Sequence, residues 1–265
     1  MKFATTLLAA GAASVALLSA ADAKQRPVWE IGVGGFGTYS PDYYGSDHST
    51  FGGFPVVYFS YRGKDFSILS DGLFDVDADN ESTFDLGVSI DFGGSVDSED
   101  RLNLPEIDYV GEIGPEVTFA LYANGSDRLE ASIAARAAFE FSEGYTGFVV
   151  QPKVTYMTTL TSTMRAGISI SPKFGFDGYN ELYYSTPLTA ATPLFVADDG
   201  YIGTDISVKY VNDVTDRLRL SGEVKAISLS GAKNEDSRLY REDWNFTVRF
   251  GLTYAIFQSD EMTDN

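Results

Sequence analysis

Few residues in this chain could do chemistry. His48, between Asp47 and Ser49, is the only imidazole, and there is no cysteine. A hydrolase of the Ser/His/Asp or Asp/His kind moves its proton through an imidazole, so any such activity would have to run through His48. The surrounding segment is rich in Tyr, Asp, Ser and Gly, which predicts a solvated loop histidine, and no catalytic residue is assigned. Asp75, Asp77, Asp79 and Glu81 begin like a calcium loop. The sixth position from Asp75 is Asn80 rather than Gly, and the twelfth is Leu86 rather than Glu, so the EF-hand pattern fails. No metal or cofactor site is assigned.

A third set of charges recurs at alternate positions inside otherwise apolar runs. Arg136, Lys153, Arg165, Lys173, Lys209, Arg219, Lys225 and Arg249 are matched by Asp85, Asp91, Glu112, Glu116, Glu130, Glu140, Asp205 and Glu223. Arg136, Arg165, Arg219, Arg249, Glu116, Glu140 and Glu223 are the leading candidates to line a shared interior. In a narrow lumen an unpaired charge is strongly unfavourable, so cross-strand ion pairs are expected to fill the space. In a wider, wet pore the same charges would select solutes.

These residues need strands to position them, and the strands are visible. From Trp244 to Ile256 every second residue is apolar (Trp244, Phe246, Val248, Phe250, Leu252, Tyr254, Ile256), and the residues between are Asn, Thr, Arg, Gly or Ala. Side chains alternate across a strand, so one face is oily and aromatic while the other is polar. Ten further segments are read as strands: Val28 to Thr38, Phe54 to Tyr61, Asp65 to Phe74, Phe84 to Phe92, Tyr109 to Tyr122, Leu129 to Phe141, Phe148 to Thr158, Met164 to Phe174, Tyr201 to Val211 and Arg217 to Leu229. An Asn124-Gly125 step between two alternating runs marks a hairpin. Short and long connections alternate in the second half, as in barrels with short periplasmic turns and long outer loops.

The pattern predicts an all-β fold: a transmembrane, antiparallel up-and-down β-barrel. Both termini in the periplasm require an even strand number, and the irregular stretch Ser67 to Asp79 leaves the count at about twelve strands, with ten as the alternative. Residues 1–23 read as a signal peptide, with Lys2, an Ala-rich apolar run from Phe3 to Ala20, and Ala21-Asp22-Ala23 as the cleavage site. Residues 24–257 form the barrel and 258–265 an acidic tail. No later run reaches the roughly 18 apolar residues of a spanning helix.

Composition agrees. The 16 Tyr and 19 Phe suit aromatic girdles at two bilayer interfaces. A net charge of −19 argues against nucleic acid as a partner, and the acidic residues are read as keeping the loops soluble. The expected setting is outer-membrane lipid; the sequence sets no oligomeric state.

Three segments resemble the MipA/OmpV family of Gram-negative outer-membrane proteins. Pro41-Asp42-Tyr43-Tyr44-Gly45-Ser46-Asp47 is similar to the family's P-x-Y-x-G-S-D loop, Phe54 to Arg62 to the strand after it, and Tyr179 to Ala191, with Tyr183, Tyr184 and Pro187, to the segment before the ninth strand. The resemblance implies an outer-membrane barrel without enzymatic activity, a scaffold between a murein transglycosylase and a penicillin-binding protein or an envelope-maintenance protein. A narrow passive channel for small solutes is the alternative. This chain departs from the family pattern in continuing past Phe257 and in having Ser237-Arg238-Leu239-Tyr240 where a Ser-Pro step is usual. The Tyr-rich segments Tyr39 to Tyr44 and Tyr179 to Leu194 are expected to fold over the barrel mouth, because bare aromatic loops would be sticky.

Overall fold

The computed structural model describes residues 26–62, 67–69, 84–188 and 193–262. The leader, 1–23, lies outside them. Eleven strands form one antiparallel sheet: β1 (Trp29–Pro41), β2 (Ser49–Arg62), β3 (Ser67–Leu69), β4 (Phe84–Gly93), β5 (Val110–Asn124), β6 (Asp127–Glu140), β7 (Gly144–Thr161), β8 (Met164–Phe176), β9 (Gly200–Asp213), β10 (Leu218–Ser228) and β11 (Trp244–Gln258). Their spatial order is β3-β2-β1-β11-β10-β9-β8-β7-β6-β5-β4. Every neighbour is also next in sequence except β1 and β11, which join the two ends of the chain and roll the sheet into an up-and-down barrel. One short helix, α1 (Tyr179–Tyr184), interrupts the connection between β8 and β9.

Ten strands are long and β3 has three residues, which corresponds to the alternative count of ten. β3 and β4 both run away from the short-turn end, as their pairings with β2 and β5 require. Residues 70–83, which hold most of the irregular stretch, lie outside the described residues. Higher up, where β3 does not reach, Phe54 of β2 and Phe92 of β4 stack across the seam with ring centroids 4.9 Å apart.

The wall is inside-out relative to a soluble sandwich. Along β11 the large apolar side chains are exposed, while Asn245, Thr247, Gly251 and Ala255 are buried. The same holds around the circumference: Val33, Ile113, Ile168, Val208, Val224 and Leu252 are exposed, while Glu112, Arg136, Ser169, Ser207 and Glu223 are buried. A continuous oily outer belt around a charged interior is stable only if lipid covers the belt.

Two boundaries move. The segment 39–53, expected as a loop, is mostly ladder: β1 and β2 pair from Trp29↔Tyr61 up to Pro41↔Ser49, leaving 42–48 as the connection. Gly52, Gly53, Ser49 and Thr50 carry no hydropathy alternation, so their strand character comes only from hydrogen bonds to β1. At the other end β11 reaches Gln258 opposite Glu30. Ser259 N–H then donates to Trp29 O at 2.9 Å and Val28 N–H to Glu261 O at 2.9 Å, so the start of the tail is stitched to the start of β1. The Asn124-Gly125 hairpin forms as expected, with Gly125 at φ 57 opening a two-residue turn between Asn124 and Asp127.

Candidate functional site: a charge-filled lumen under a tyrosine lid

The alternation that places apolar residues outside places every second residue of β4 to β11 in the lumen, at densities that force pairing. In the middle, Glu112 accepts from Lys173 Nζ at 2.7 Å, Arg136 Nε at 3.0 Å and the Tyr179 hydroxyl at 2.7 Å. Lys153 Nζ meets Glu116 at 2.8 Å, and Lys225 Nζ meets Asp205 at 3.1 Å. Arg249 Nη2 crosses the lumen to Asp91 of β4 at 3.1 Å. Towards the short-turn end, Asp213 gathers Arg26, Arg165 and Arg219 within 3.1 Å, Arg62 pairs with Glu30 at 3.1 Å, and Arg128 pairs with Asp85 and Glu130. Most of these links tie neighbouring strands, as Arg136 of β6 to Glu112 of β5, while Lys173 of β8 with Glu112 and Arg249 of β11 with Asp91 of β4 reach across the interior.

Two small voids lie among the described residues. One, about 70 Å³, lies among Glu116, Lys153, Lys209, Glu223, Lys225 and Arg249. The other, about 60 Å³, lies above it among Tyr44, Asp91, Lys173, Tyr179, Tyr183 and Arg249. Asp91, Lys225 and Arg249 border both.

The upper void is roofed by tyrosines. Tyr43 from the β1–β2 connection stacks on Tyr183 of α1 at 6.1 Å, and Tyr184 packs on Tyr240 at 5.5 Å. Their hydroxyls are spent on main-chain carbonyls: Tyr43 on Leu239 at 2.8 Å, Tyr184 on Tyr44 at 2.9 Å, Tyr240 on Ile202 at 2.9 Å. Burial pushes the Tyr43 phenol up to about 12 and that of Tyr184 well above its usual range, because phenolate would be desolvated there. Tyr44 points down and donates to Asp205 at 2.8 Å, tying lid to lumen. Arg101 Nη2 donates to Leu182 O at 2.6 Å and fastens the β4–β5 connection onto α1. Burial lowers the Arg101 guanidinium from its ordinary value.

A family model described as MltA-interacting protein MipA matches residues 33–256. The chain belongs to the MipA family. It is thus an outer-membrane β-barrel protein. No curated relative matches it in sequence. Among solved structures it is similar to the COG4313 outer membrane channel from Pseudomonas putida F1 (11% identity, 89% of this chain and 97% of that one, TM-score 0.46). It is also similar to the NanC porin (10%, 86% and 100%, 0.38) and to the outer membrane protease OmpT from Escherichia coli (11%, 92% and 100%, 0.30). At such identities and scores none of them carries an argument about activity.

In this MipA-family barrel the predicted lumen residues Arg136, Arg165, Arg219, Arg249, Glu116 and Glu223 all face the interior. Glu140 sits at the mouth, where it accepts from Asp108 N–H at 2.8 Å. The loop motif is structural throughout. Tyr43 and Ser46 are buried, and Asp47 accepts from Arg241 at 2.8 Å. Gly45 has φ 94, and a Cβ there would press on the Tyr240 ring at 3.1 Å. Tyr183 and Tyr184 are buried within the lid, and Pro187 follows α1. Leu188 and Leu194 remain exposed at the far side of that connection. His48 Nδ1 lies 3.1 Å from Asp100, and its Nε2 is 4.0 Å from Asp47, so the ring joins a surface charge cluster. Asp75 to Glu81 lies outside the described residues.

Sequence reasoning passed over Tyr240, Asn245 and Arg101. Asn245 accepts Gly45 N–H at 2.7 Å and donates to Ser46 O at 2.8 Å, which pins the motif loop to β11. An Asn on the polar face of a strand carries no signal for that role. Tyr44 and Tyr179 stood within the quoted aromatic segments and could have been marked from them.

Proposed function

We propose that this protein is a non-conducting, non-enzymatic outer-membrane barrel, exported by the leader 1–23, that serves as a scaffold in envelope maintenance. It would present its short-turn, periplasmic rim to murein-cleaving and murein-synthesising enzymes. One observation supports this above others: the lumen holds many ion pairs, with Lys173–Glu112 and Arg249–Asp91 reaching across its middle beneath a tyrosine roof, and the two described voids are about 70 and 60 Å³. Such spaces hold a few waters and not a solute stream. A wall built to carry solute would keep these charges solvated, whereas here they spend each other, which suits a rigid post. The partner comes from the family description, whose name-giving member interacts with MltA. Affinity capture from envelope extracts with the tagged, membrane-embedded protein should recover a murein transglycosylase; recovery of none removes the scaffold reading.

A narrow channel for small solutes is the second reading. It is favoured by the shared border of the two voids at Asp91, Lys225 and Arg249. Planar-bilayer recording separates the two: the scaffold reading expects no steady conductance, and the channel reading expects it.

A further inference from the structure

Glu223 stands in a single register row between Lys209 on β9 and Arg249 on β11. It serves both cations and hydrogen-bonds with neither, since Lys209 Nζ is 3.9 Å from Oε1 and Arg249 Nη1 is 3.6 Å from Oε2. Arg249 commits Nη2 to Asp91, and its Nε–H, buried, has no protein partner. Lys209 makes no other ion pair among the described residues. Every other mid-lumen cation has a carboxylate at hydrogen-bond distance: Arg136 and Lys173 share Glu112, Lys153 takes Glu116 and Lys225 takes Asp205. Among the described residues of this layer six cations therefore face five carboxylates, and the unmatched charge is that of Lys209.

The donors are in excess as well as the charge. Lys209 Nζ makes no hydrogen bond at 3.9 Å from Glu223, and the buried Nε–H of Arg249 has no acceptor, while Glu223 Oε2 is a buried oxygen without a donor. Both cations line the void of about 70 Å³, together with Lys153 and Lys225. An uncompensated positive charge in a low-dielectric interior is unfavourable, and an anion beside it offsets the penalty. The space admits a halide or a carboxylate of formate to acetate size and is too small for a sugar ring.

We propose that this mid-lumen chamber is a binding site for one small monovalent anion, held by Lys209 and Arg249 between β9 and β11. The anion completes the charge balance of the barrel interior, whether or not the barrel conducts. Bromide is the probe. Crystals of the full detergent-solubilised protein grown in bromide should show an anomalous peak within hydrogen-bond distance of Lys209 Nζ, and Lys209→Met should lose it. Solution melting gives an independent readout on the unaltered protein. Its melting temperature should climb with bromide from 1 to 100 mM, roughly in step with ligand linkage, and stay level in gluconate, which is too large to enter, at equal ionic strength. A missing peak in the unaltered protein, a peak that survives Lys209→Met, or equal melting in the two salts overturns the proposal.

Discussion

Arg249 and Asp91 are 158 positions apart in the chain and 3.1 Å apart across the lumen. Asp91 rides on β4, the last strand of the sheet order, and Arg249 on β11, which pairs with β1. Their ion pair spans the barrel where no backbone ladder can, and it forms the floor of the upper void and the ceiling of the lower one.

Breaking that pair on one side should be costly. Arg249→Ala strands Asp91 and weakens compensation of Glu223, and should destabilise the barrel by about 3–5 kcal/mol, the usual effect of orphaning one partner of a buried pair. The double change Asp91→Asn with Arg249→Gln should cost less than Arg249→Ala alone. Urea unfolding in lipid vesicles, followed by tryptophan fluorescence, measures both; equal losses would show that the two residues act independently.

The lid should respond to high pH. Tyr43 is pushed up to about 12 by burial in the folded protein, against an unfolded phenol near 10. An acid whose folded value is raised keeps its full contribution below the unfolded value, and that contribution is lost as pH climbs from about 10 through about 12. Tyrosinate absorbance at the lid should therefore lag behind that of exposed tyrosines, and the Tyr43→Phe variant should lack the component near 12.

Removing the lid should leave the lumen closed. Tyr184 is 2% exposed and braced on Tyr240, so Tyr184→Ala should cost about 3–5 kcal/mol, as for a large buried aromatic. The layer of Glu112, Arg136, Lys173, Asp91 and Arg249 lies beneath and is untouched. Bilayer recordings of Tyr184→Ala should stay silent, and a steady current would assign the seal to the lid alone.

The outer belt can be tested at Val224, which stands between Val208 and Val248 in one row of the wall and is 56% exposed. Val224→Arg places a charge in hydrocarbon and should cost about 2–4 kcal/mol if the site lies near the bilayer midplane. Val224→Leu should be nearly silent. Vesicle unfolding distinguishes the two, and a tolerated arginine would mean that lipid does not cover this face.

The strands were legible because alternation is local. Phe84 to Phe92 or Trp244 to Ile256 declares its two faces without reference to any other part of the chain, since the side-chain period of a strand is two. Hence the all-β barrel, the oily outside, the polar inside and the hairpin at Asn124-Gly125 could all be read in advance. The Pro41 to Asp47 motif was legible as a motif, and Gly45 has a local reason to be there in its positive φ.

Only the folded barrel decided which charge meets which. Alternation assigns Arg249 and Asp91 to the interior but says nothing of their height or their bearing around the wall; register and curl fix those, and they depend on all the strands together. The same limit hid the role of Asn245 and the descent of Tyr44 to Asp205, and the pairing of Ser49 to Gly53 with β1 rests on hydrogen bonds that glycine and serine do not advertise. The sequence by itself determined an envelope of oil around a core of charge. Which charge meets which was settled in three dimensions, because a charge's partner is set by distance through space, and distance across a rolled sheet is not encoded in any one strand.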